Sequence, residues 1–407
     1  MKVAGVVVEY NPLHNGHLYH LQEMRKKIQP DLTVAVMSGP FLQRGEPALL
    51  SKWTRSRLAL QAGIDLVFEL PYAYATQRAE VFAFGAVSLL QDIGVTDLCF
   101  GSEQGEIAPF LNTLDLLTSN NETYNASLKA FMKEGYSYPK AQALAFKGLS
   151  PERDQTIDLT QPNNILGFHY IKASRLLGGA ITCHTIKRTG AAYHDKSLTQ
   201  KKIASATAIR QALFESNGEW QALKPYVPLY TAEALEIAAN QDGLRSWEDY
   251  FPLLKYRLLT DSGEAISAIY EAEEGLENRL KKEIEKAADF QSFMEAIKTK
   301  RYTWTRLQRL LTHILTQATK QEMMSAHALE RPNYLRLLGM SNNGQQYLNH
   351  QKETLRIPLI SRLNRENQTL LHRDIQAAKC YQLIPNGESS EFEQVPVQLS
   401  TAKPSGV

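Results

Sequence analysis

Residues 3–17, VAGVVVEYNPLHNGH, do most to constrain what this chain can become. Val3, Val6, Val7 and Val8 form a short apolar run rich in β-branched side chains, the pattern of a strand buried on both faces. Asn11-Pro12 punctuates it, and Leu18, Leu21 and Met24 then begin a helical period. His14 and His17 therefore stand where a buried strand hands over to a helix N-terminus. Free N–H groups and positive dipole potential gather at such an end and suit phosphate. The end of a parallel strand also opens into the usual ligand crevice of an α/β sheet. Three positions apart across the junction, both imidazoles can point at one phosphate and stabilise charge on a pentacoordinate phosphorus. Gly16, without a Cβ, lets a base or ribose lie against the backbone. A pair of capping or surface histidines is the plainer alternative, and the strand-to-helix setting favours chemistry.

The next segments keep the alternation going. Residues 32–37 (LTVAVM) read as a second buried strand ending in Ser38-Gly39-Pro40, and strand, helix, strand at this spacing implies a right-handed parallel crossover. Arg44, Lys52 and Arg55 follow as candidates to hold an anionic substrate or leaving pyrophosphate, with solvated helix-face charge as the alternative. Residues 64–70 are a third strand, 81–90 a helix, and 97–100 a fourth strand running into Gly101-Ser102-Glu103. Residues 105–160 read as a helical insertion, 180–186 as a fifth strand ahead of Arg188, and 191–202 as a polar, mobile loop. Ser205 is a sound N-cap for the following helix, whose free amides at Ala206 and Thr207 would face a phosphate chain. The expected fold class is therefore α/β, a doubly wound parallel-sheet domain over residues 1–217.

Beyond Asn217-Gly218 the sequence has few β-branched runs and many helical periods, which predicts an all-α second domain over 218–407. Its informative stretch is 298–313, KTKRYTWTRLQRLLTH, where Lys298, Lys300, Arg301, Arg306 and Arg309 occur without a single acid. At helical spacing Arg306, Arg309 and His313 share one face, while Trp304, Leu307, Leu310, Leu311 and Ile314 share a core-facing one. That basic face suits consecutive phosphates of an RNA backbone, and Tyr302 could stack on a base; a solvated basic helix is the competing reading. The last twenty or so residues are weakly patterned and read as partly disordered.

Composition narrows the classes. A chain of 407 residues suggests two or three domains, and 43% hydrophobic with 22% charged residues suits a soluble globular protein. The net charge of +2 means that any nucleic-acid site must be a local patch. Cys99, Cys183 and Cys380 are scattered and odd in number, so neither a metal site nor a disulfide framework is expected. The apolar run 3–8 is too short for a signal peptide, and 81–90 cannot span a bilayer, so a cytoplasmic protein without membrane attachment is expected.

HNGH after VVVEYNP resembles the H-x-G-H motif of the nucleotidylyltransferase superfamily, relatives of class I aminoacyl-tRNA synthetases. The blocks GVVVEYNPLHNGHLYHL, AVMSGPFLQRGEPALLSKWTR, FGSE, PNNILG, ASATAIR and KTKRYTWTRLQR together resemble the tRNA(Met) cytidine acetate ligases. ASATAIR is similar to the I-S-S-T-x-x-R block of the superfamily, with Ala206 in place of the second serine. The resemblance implies a ligase in which acetate attacks ATP, with Mg²⁺, to give acetyl-adenylate and pyrophosphate. The wobble cytidine of elongator tRNA(Met) then takes the acetyl group as N4-acetylcytidine. It implies that His14 and His17 are catalytic and that ATP is held by Val7, Val8, Glu9, Tyr10, Asn11, Pro12, Asn15, Gly16, Gly101, Asn163, Arg188, Ser205, Thr207 and Arg210. Asn163 could equally cap a helix, and Gly101 could be a plain turn glycine. Lys298, Lys300, Arg301, Tyr302, Arg306 and Arg309 become the tRNA-binding candidates. The rival readings are an adenylyltransferase of a small phosphorylated metabolite and a non-catalytic RNA- or ribosome-binding protein on a relic nucleotide fold.

Overall fold

The computed structural model describes residues 1–149, 155–188, 203–215, 220–241, 243–273, 275–328, 331–385 and 389–399. The polar loop expected at 191–202 and the boundary expected at 217/218 lie outside the described residues.

β1 (Val3–Val8), β2 (Leu32–Ser38) and β3 (Leu66–Leu70) lie side by side and parallel. β4 (Asp97–Ser102) joins the other side of β1, and β5 (Thr182–Lys187) joins β4, again in parallel. The chain thus winds outward from β1 in one direction and then in the other. The order reverses between β1 and β4, and a crevice opens at their carboxyl ends. Alternation along β2 feeds two cores: Val34 and Val36 enter one, Ala35 and Met37 the other. α1 (Asn15–Ile28) and α2 (Lys52–Gln61) cover the second face with Leu21, Met24, Leu58 and Ala59. The helix Ala79–Ile93 covers the first with Ala83, Ala86, Val87 and Leu90. The insertion is helical as expected, in three pieces, Ala108–Ser119, Asn121–Lys133 and Tyr138–Gly148, with a small core of its own around Tyr124, Leu128 and Phe146.

The helical reading of the second half holds from Trp220 to Ala328 and needs correction beyond it. β6 (Leu335–Met340) pairs antiparallel with β3, and β7 (Leu359–Ile360) and β8 (Val397–Gln398) extend the same sheet. Leu335 and Leu337 enter one core and Leu338 the other, so this leucine-rich run is a strand buried on both faces. The helices between them share the first core with the sheet: Trp247, Phe293, Leu311 and Ile314 belong to the same apolar cluster as Val34 and Phe68.

Two of the three cations expected at the site prove to be structural. Arg55 is fully buried. It donates to the carbonyls of Leu50 (3.0 Å), Glu9 (2.8 Å), Ser38 (2.9 Å) and Gly39 (2.6 Å), stitching together the ends of β1 and β2. Lys52 is buried against Glu69 (2.7 Å) and Glu391 (2.9 Å), and Glu391 also accepts from Trp53 Nε1 at 3.0 Å. Burial opposes the Lys52 charge, but Glu391 and Glu69 outweigh it and hold the ammonium above the usual lysine range. Of the tail expected to be partly disordered, residues 389–399 dock through Glu391 and β8, and residues 400–407 lie outside the described set. Replacing Lys52 by Met leaves two carboxylates buried without their cation. The expected loss is about 3–5 kcal/mol of unfolding free energy, read as a lower urea midpoint.

Candidate active site

The crevice at the β1/β4 switch point is a cleft of about 520 Å³. β1 ends in its floor, and Tyr10, in the left-handed region at φ 50°, turns the chain toward α1. One side is built by the start of α1, by Gly101 and Arg188 at the ends of β4 and β5, and by the helices Pro162–Leu176 and Ala206–Glu215. Leu42, Gln43, Arg44 and Glu46, from the loop after β2 across β1 from β4, and the start of the helix Trp304–Thr316 complete the lining.

His14 is the N-cap of α1, and its Nδ1 accepts from Gly16 N at 3.0 Å. His14 N in turn donates to His17 Nδ1 at 3.2 Å. The two rings stack with centroids 3.8 Å apart. A neutral imidazole that accepts at Nδ1 carries its proton on Nε2, so both rings present an Nε2–H donor. Both are held neutral. Burial, then the charges of Arg188 and Arg210, push His14 down to about 3. Burial, then His14 and Arg188, push His17 well below the usual histidine value. Gly16 has a nearer reason than ligand access, because a Cβ there would lie 2.8 Å from His14 Cε1. Glycine lets the His14 ring fold back over its own helix.

Most of the expected nucleotide contacts converge here. Val7, Val8, Glu9, Tyr10, Asn11, Gly16, Gly101, Asn163, Arg188, Ser205, Thr207 and Arg210 all line the cleft with the two histidines. Pro12 and Asn15 do not; Asn15 Nδ2 instead donates to Pro225 O at 2.9 Å and ties α1 to the second half. Ser205 caps its helix as expected, accepting from Ala208 N at 3.1 Å. Arg210 donates to Asn11 O and to Glu46 Oε2, both at 2.9 Å, and so joins the two parts of the lining. Asn163 lies in the first turn of the helix Pro162–Leu176 and does not cap it, the N-cap being Gln161; the helix takes its anion from within, since Glu103 accepts from Asn164 N at 2.9 Å and from Asn163 Nδ2 at 2.6 Å. The cleft also contains residues that the sequence reading did not place there: His20, Gln43, Glu46, the apolar Phe82, Leu166 and Tyr170, and Trp304, Thr305 and Gln308 from the second half. Trp304 and Gln308 lie four apart on one helix stripe, a signal hidden by reading Trp304 as core.

The family model described as HIGH Nucleotidyl Transferase matches residues 1–395. The tRNA(Met) cytidine acetate ligase of Halalkalibacterium halodurans is 48% identical over 98% of both chains. This chain belongs to the tRNA(Met) cytidine acetate ligase family. The Bacillus velezensis ligase is 46% identical over 98% of this chain and 97% of its own. Among solved structures, Thermotoga maritima TmcAL in an apo form matches with a TM-score of 0.90 at 33% identity, covering 98% of this chain and 100% of that one. TmcAL from the same organism, bound with alpha-thio ATP, matches with a TM-score of 0.89 at 32% identity over the same shares.

In this member of the ligase family the basic segment is only partly at the surface. Lys298, Lys300 and Arg301 are exposed. Tyr302 is buried beneath the Arg306 guanidinium, 4.8 Å from its ring centre, and Arg306 pairs with Glu273 at 2.9 Å. Arg309 is buried against Glu271 at 2.9 Å, and His313 is fully buried with its Nδ1 2.9 Å from Tyr72 Oη. The expected face is thus closed at Arg309 and His313, which pack on Glu271, Tyr72 and Tyr270, and Arg306 stays partly exposed, while residues 42–46 pack on the neighbouring stripe of Gln308 and Thr312. Gly45, at φ 78°, comes so close that a Cβ would lie 2.6 Å from the Arg309 backbone. Its carbonyl accepts from Trp247 Nε1 (2.8 Å) and Thr312 Oγ1 (2.7 Å). Among the described residues no helix is long and apolar enough to cross a membrane.

The buried histidines set an acid limit. His14 takes up a proton near 6.5 when unfolded and only near 3 when folded, so its stability contribution is complete above pH 6.5. That contribution is lost as the pH falls from 6.5 toward 3, and His17 acts in the same direction. Urea midpoints measured from pH 8 to pH 5 are expected to drop below pH 6.5, less steeply in His14→Asn, whose amide can still cap α1.

Proposed function

We propose that this chain is an ATP-dependent acetate ligase that forms acetyl-adenylate and passes the acetyl group to the wobble cytidine of elongator tRNA(Met). The observation that carries the reading is the pair of neutral histidines whose Nδ1 atoms are taken by backbone amides at the bottom of a cleft. A carboxylate oxygen of acetate attacks the α-phosphorus of ATP, the bond to the β-phosphate oxygen breaks, and pyrophosphate leaves. The Nε2–H groups of His14 and His17 donate to oxygens that gain charge in that transition state. Acetate is ionised at neutral pH, so this step needs no general base. Arg188 and Arg210 supply positive charge while the histidines stay neutral. Ser205 and Thr207 face the triphosphate, and Gly101 and Asn163 the nucleoside. The N4 amine of the cytidine then attacks the acetyl carbonyl, the carbonyl–oxygen bond to AMP breaks, and the amine loses a proton.

The donor set suits Mg²⁺ carried in by the nucleotide. Among the described residues no group of three or more His, Cys, Asp or Glu could hold a metal by itself, and the cleft's acidic side chains are already engaged, Glu9 by Gln43 N and Glu46 by Arg210, so the nucleotide's own phosphates would supply most of the ligands. When bound, Mg²⁺ neutralises charge on the leaving pyrophosphate. We assign residues 1–217 to the nucleotide chemistry and 218–407 to the tRNA, with exposed Lys298, Lys300 and Arg301 on its backbone. Arg306, Tyr302 and Arg309 shape that segment from within. We assign the enzyme to the cytoplasm, where tRNA and ATP would meet it.

The test is pyrophosphate release from ATP, with and without acetate and total tRNA. Acetate-dependent release is expected, with acetyl appearing on tRNA. His17→Ala is expected to lower it by about 10²–10³, the usual effect of losing one preorganised transition-state donor. Release that ignores acetate but answers to a phosphorylated metabolite would contradict the ligase reading.

A further inference from the structure

The helix Trp304–Thr316 brings into the cleft an aromatic side chain that the nucleotide contacts above do not use. Trp304, Thr305 and Gln308 line the cleft on the side formed with residues 42–46. Trp304 Nε1 donates to Gln308 Oε1 at 3.0 Å, and Gln308 Nε2 donates to Arg44 O at 3.1 Å. Gln308 is almost wholly buried, so these bonds are shielded and the half-buried indole is held by its edge. Just ahead of Trp304 in the chain, Lys298, Lys300 and Arg301 are exposed. Tyr302, the aromatic nearest these cations, is closed off beneath Arg306.

We propose that Trp304 is the platform on which the acceptor base of the RNA stacks inside the cleft. The inference rests on the ligase reading and names the subsite where its second substrate binds. A base that enters an active site leaves its neighbours in the strand, and a flat aromatic surface replaces the lost stacking. The exposed cations lie where the attached backbone would run, and the base reaches the cleft within a few residues of them. ATP is the competing partner for the indole. The groups assigned to ATP, however, lie at the end of β1 and the turn after it, on α1, at the ends of β4 and β5 and on the helices Pro162–Leu176 and Ala206–Glu215, whereas Trp304 comes from a helix that carries none of them.

The experiment compares full-length Trp304→Ala, Trp304→Leu and Trp304→Phe with the wild type in two assays. One is acetate-dependent ATP–pyrophosphate exchange without RNA. The other is acetylation of a tRNA(Met) transcript, with a transcript carrying uridine at the wobble position as a blank. Trp304→Ala is expected to weaken acetylation, through a higher KM for the transcript, by about ten-fold or more beyond any effect on exchange, the scale of one lost base stack. Trp304→Phe is expected to recover most of that loss, and Trp304→Leu, which keeps apolar bulk without a π-face, is not. Should the Ala protein fold poorly, the Phe and Leu pair decides at matched folded fraction. Exchange and acetylation falling together with a raised KM for ATP would assign Trp304 to the nucleotide and overturn the proposal. Equal acetylation by the Leu and Phe variants would also overturn it. A wild type without acetate-dependent exchange would remove the ligase reading itself, and this inference with it.

Discussion

Two backbone amides hold the chemistry of this protein in place. Gly16 N and His14 N each donate to an imidazole Nδ1, and between them they decide which nitrogen of each ring keeps a proton. Burial then prevents a second proton from arriving, so the rings remain donors without becoming cations. Charge in the cleft comes instead from Arg188 and Arg210, whose fields help to keep His14 neutral. On the proposed reading the arrangement separates two tasks: arginines attract the nucleotide, and fixed imidazoles answer charge that develops during reaction. A protonated pair stacked at 3.8 Å would repel itself.

The rest of the fold keeps that arrangement rigid. Arg55 binds carbonyls at the ends of both β1 and β2, and so sets the distance between the turn that carries Glu9 and the loop that carries Gln43 and Arg44. Gly45 then locks the same loop to the Trp304–Thr316 helix. Through these contacts the second half of the chain becomes part of the cleft lining. Sheet and helices bury the same apolar cluster, so both parts of the cleft lining rest on one packed core.

Much of this was legible in the sequence, and for definite reasons. The five parallel strands stand out because runs such as VAGVVV and LTVAVM are β-branched and bounded by turn residues, and the observed bounds differ from expectation by only a residue or two. The histidine motif carries its context with it, strand before and helix after. What was missed depends on partners far along the chain. Lys52 read as a candidate for holding an anionic substrate or pyrophosphate, because its partner Glu391 is remote in sequence. β6 was hidden by leucine and methionine, which also suit helices, and β7 and β8 are two residues each. The Trp304 helix looked amphipathic, yet every residue from Leu307 to Thr316 is buried, because partners far along the chain cover its polar positions: the 42–46 loop over Gln308 and Thr312, Glu271 and Tyr72 over Arg309 and His313. Trp304 read as core, and it does pack, half-buried, against the first core, but it also lines the cleft.

The most direct test of the account is a crystal structure with a non-hydrolysable ATP analogue. The account predicts that Nε2 of His14 and Nε2 of His17 both lie within hydrogen-bond reach of phosphate oxygens. The contacts of their Nδ1 atoms with Gly16 N and His14 N should be unchanged, and Arg188 and Arg210 should flank the nucleotide. Phosphates bound away from the histidines, or rings flipped so that Nδ1 meets the ligand, would contradict it.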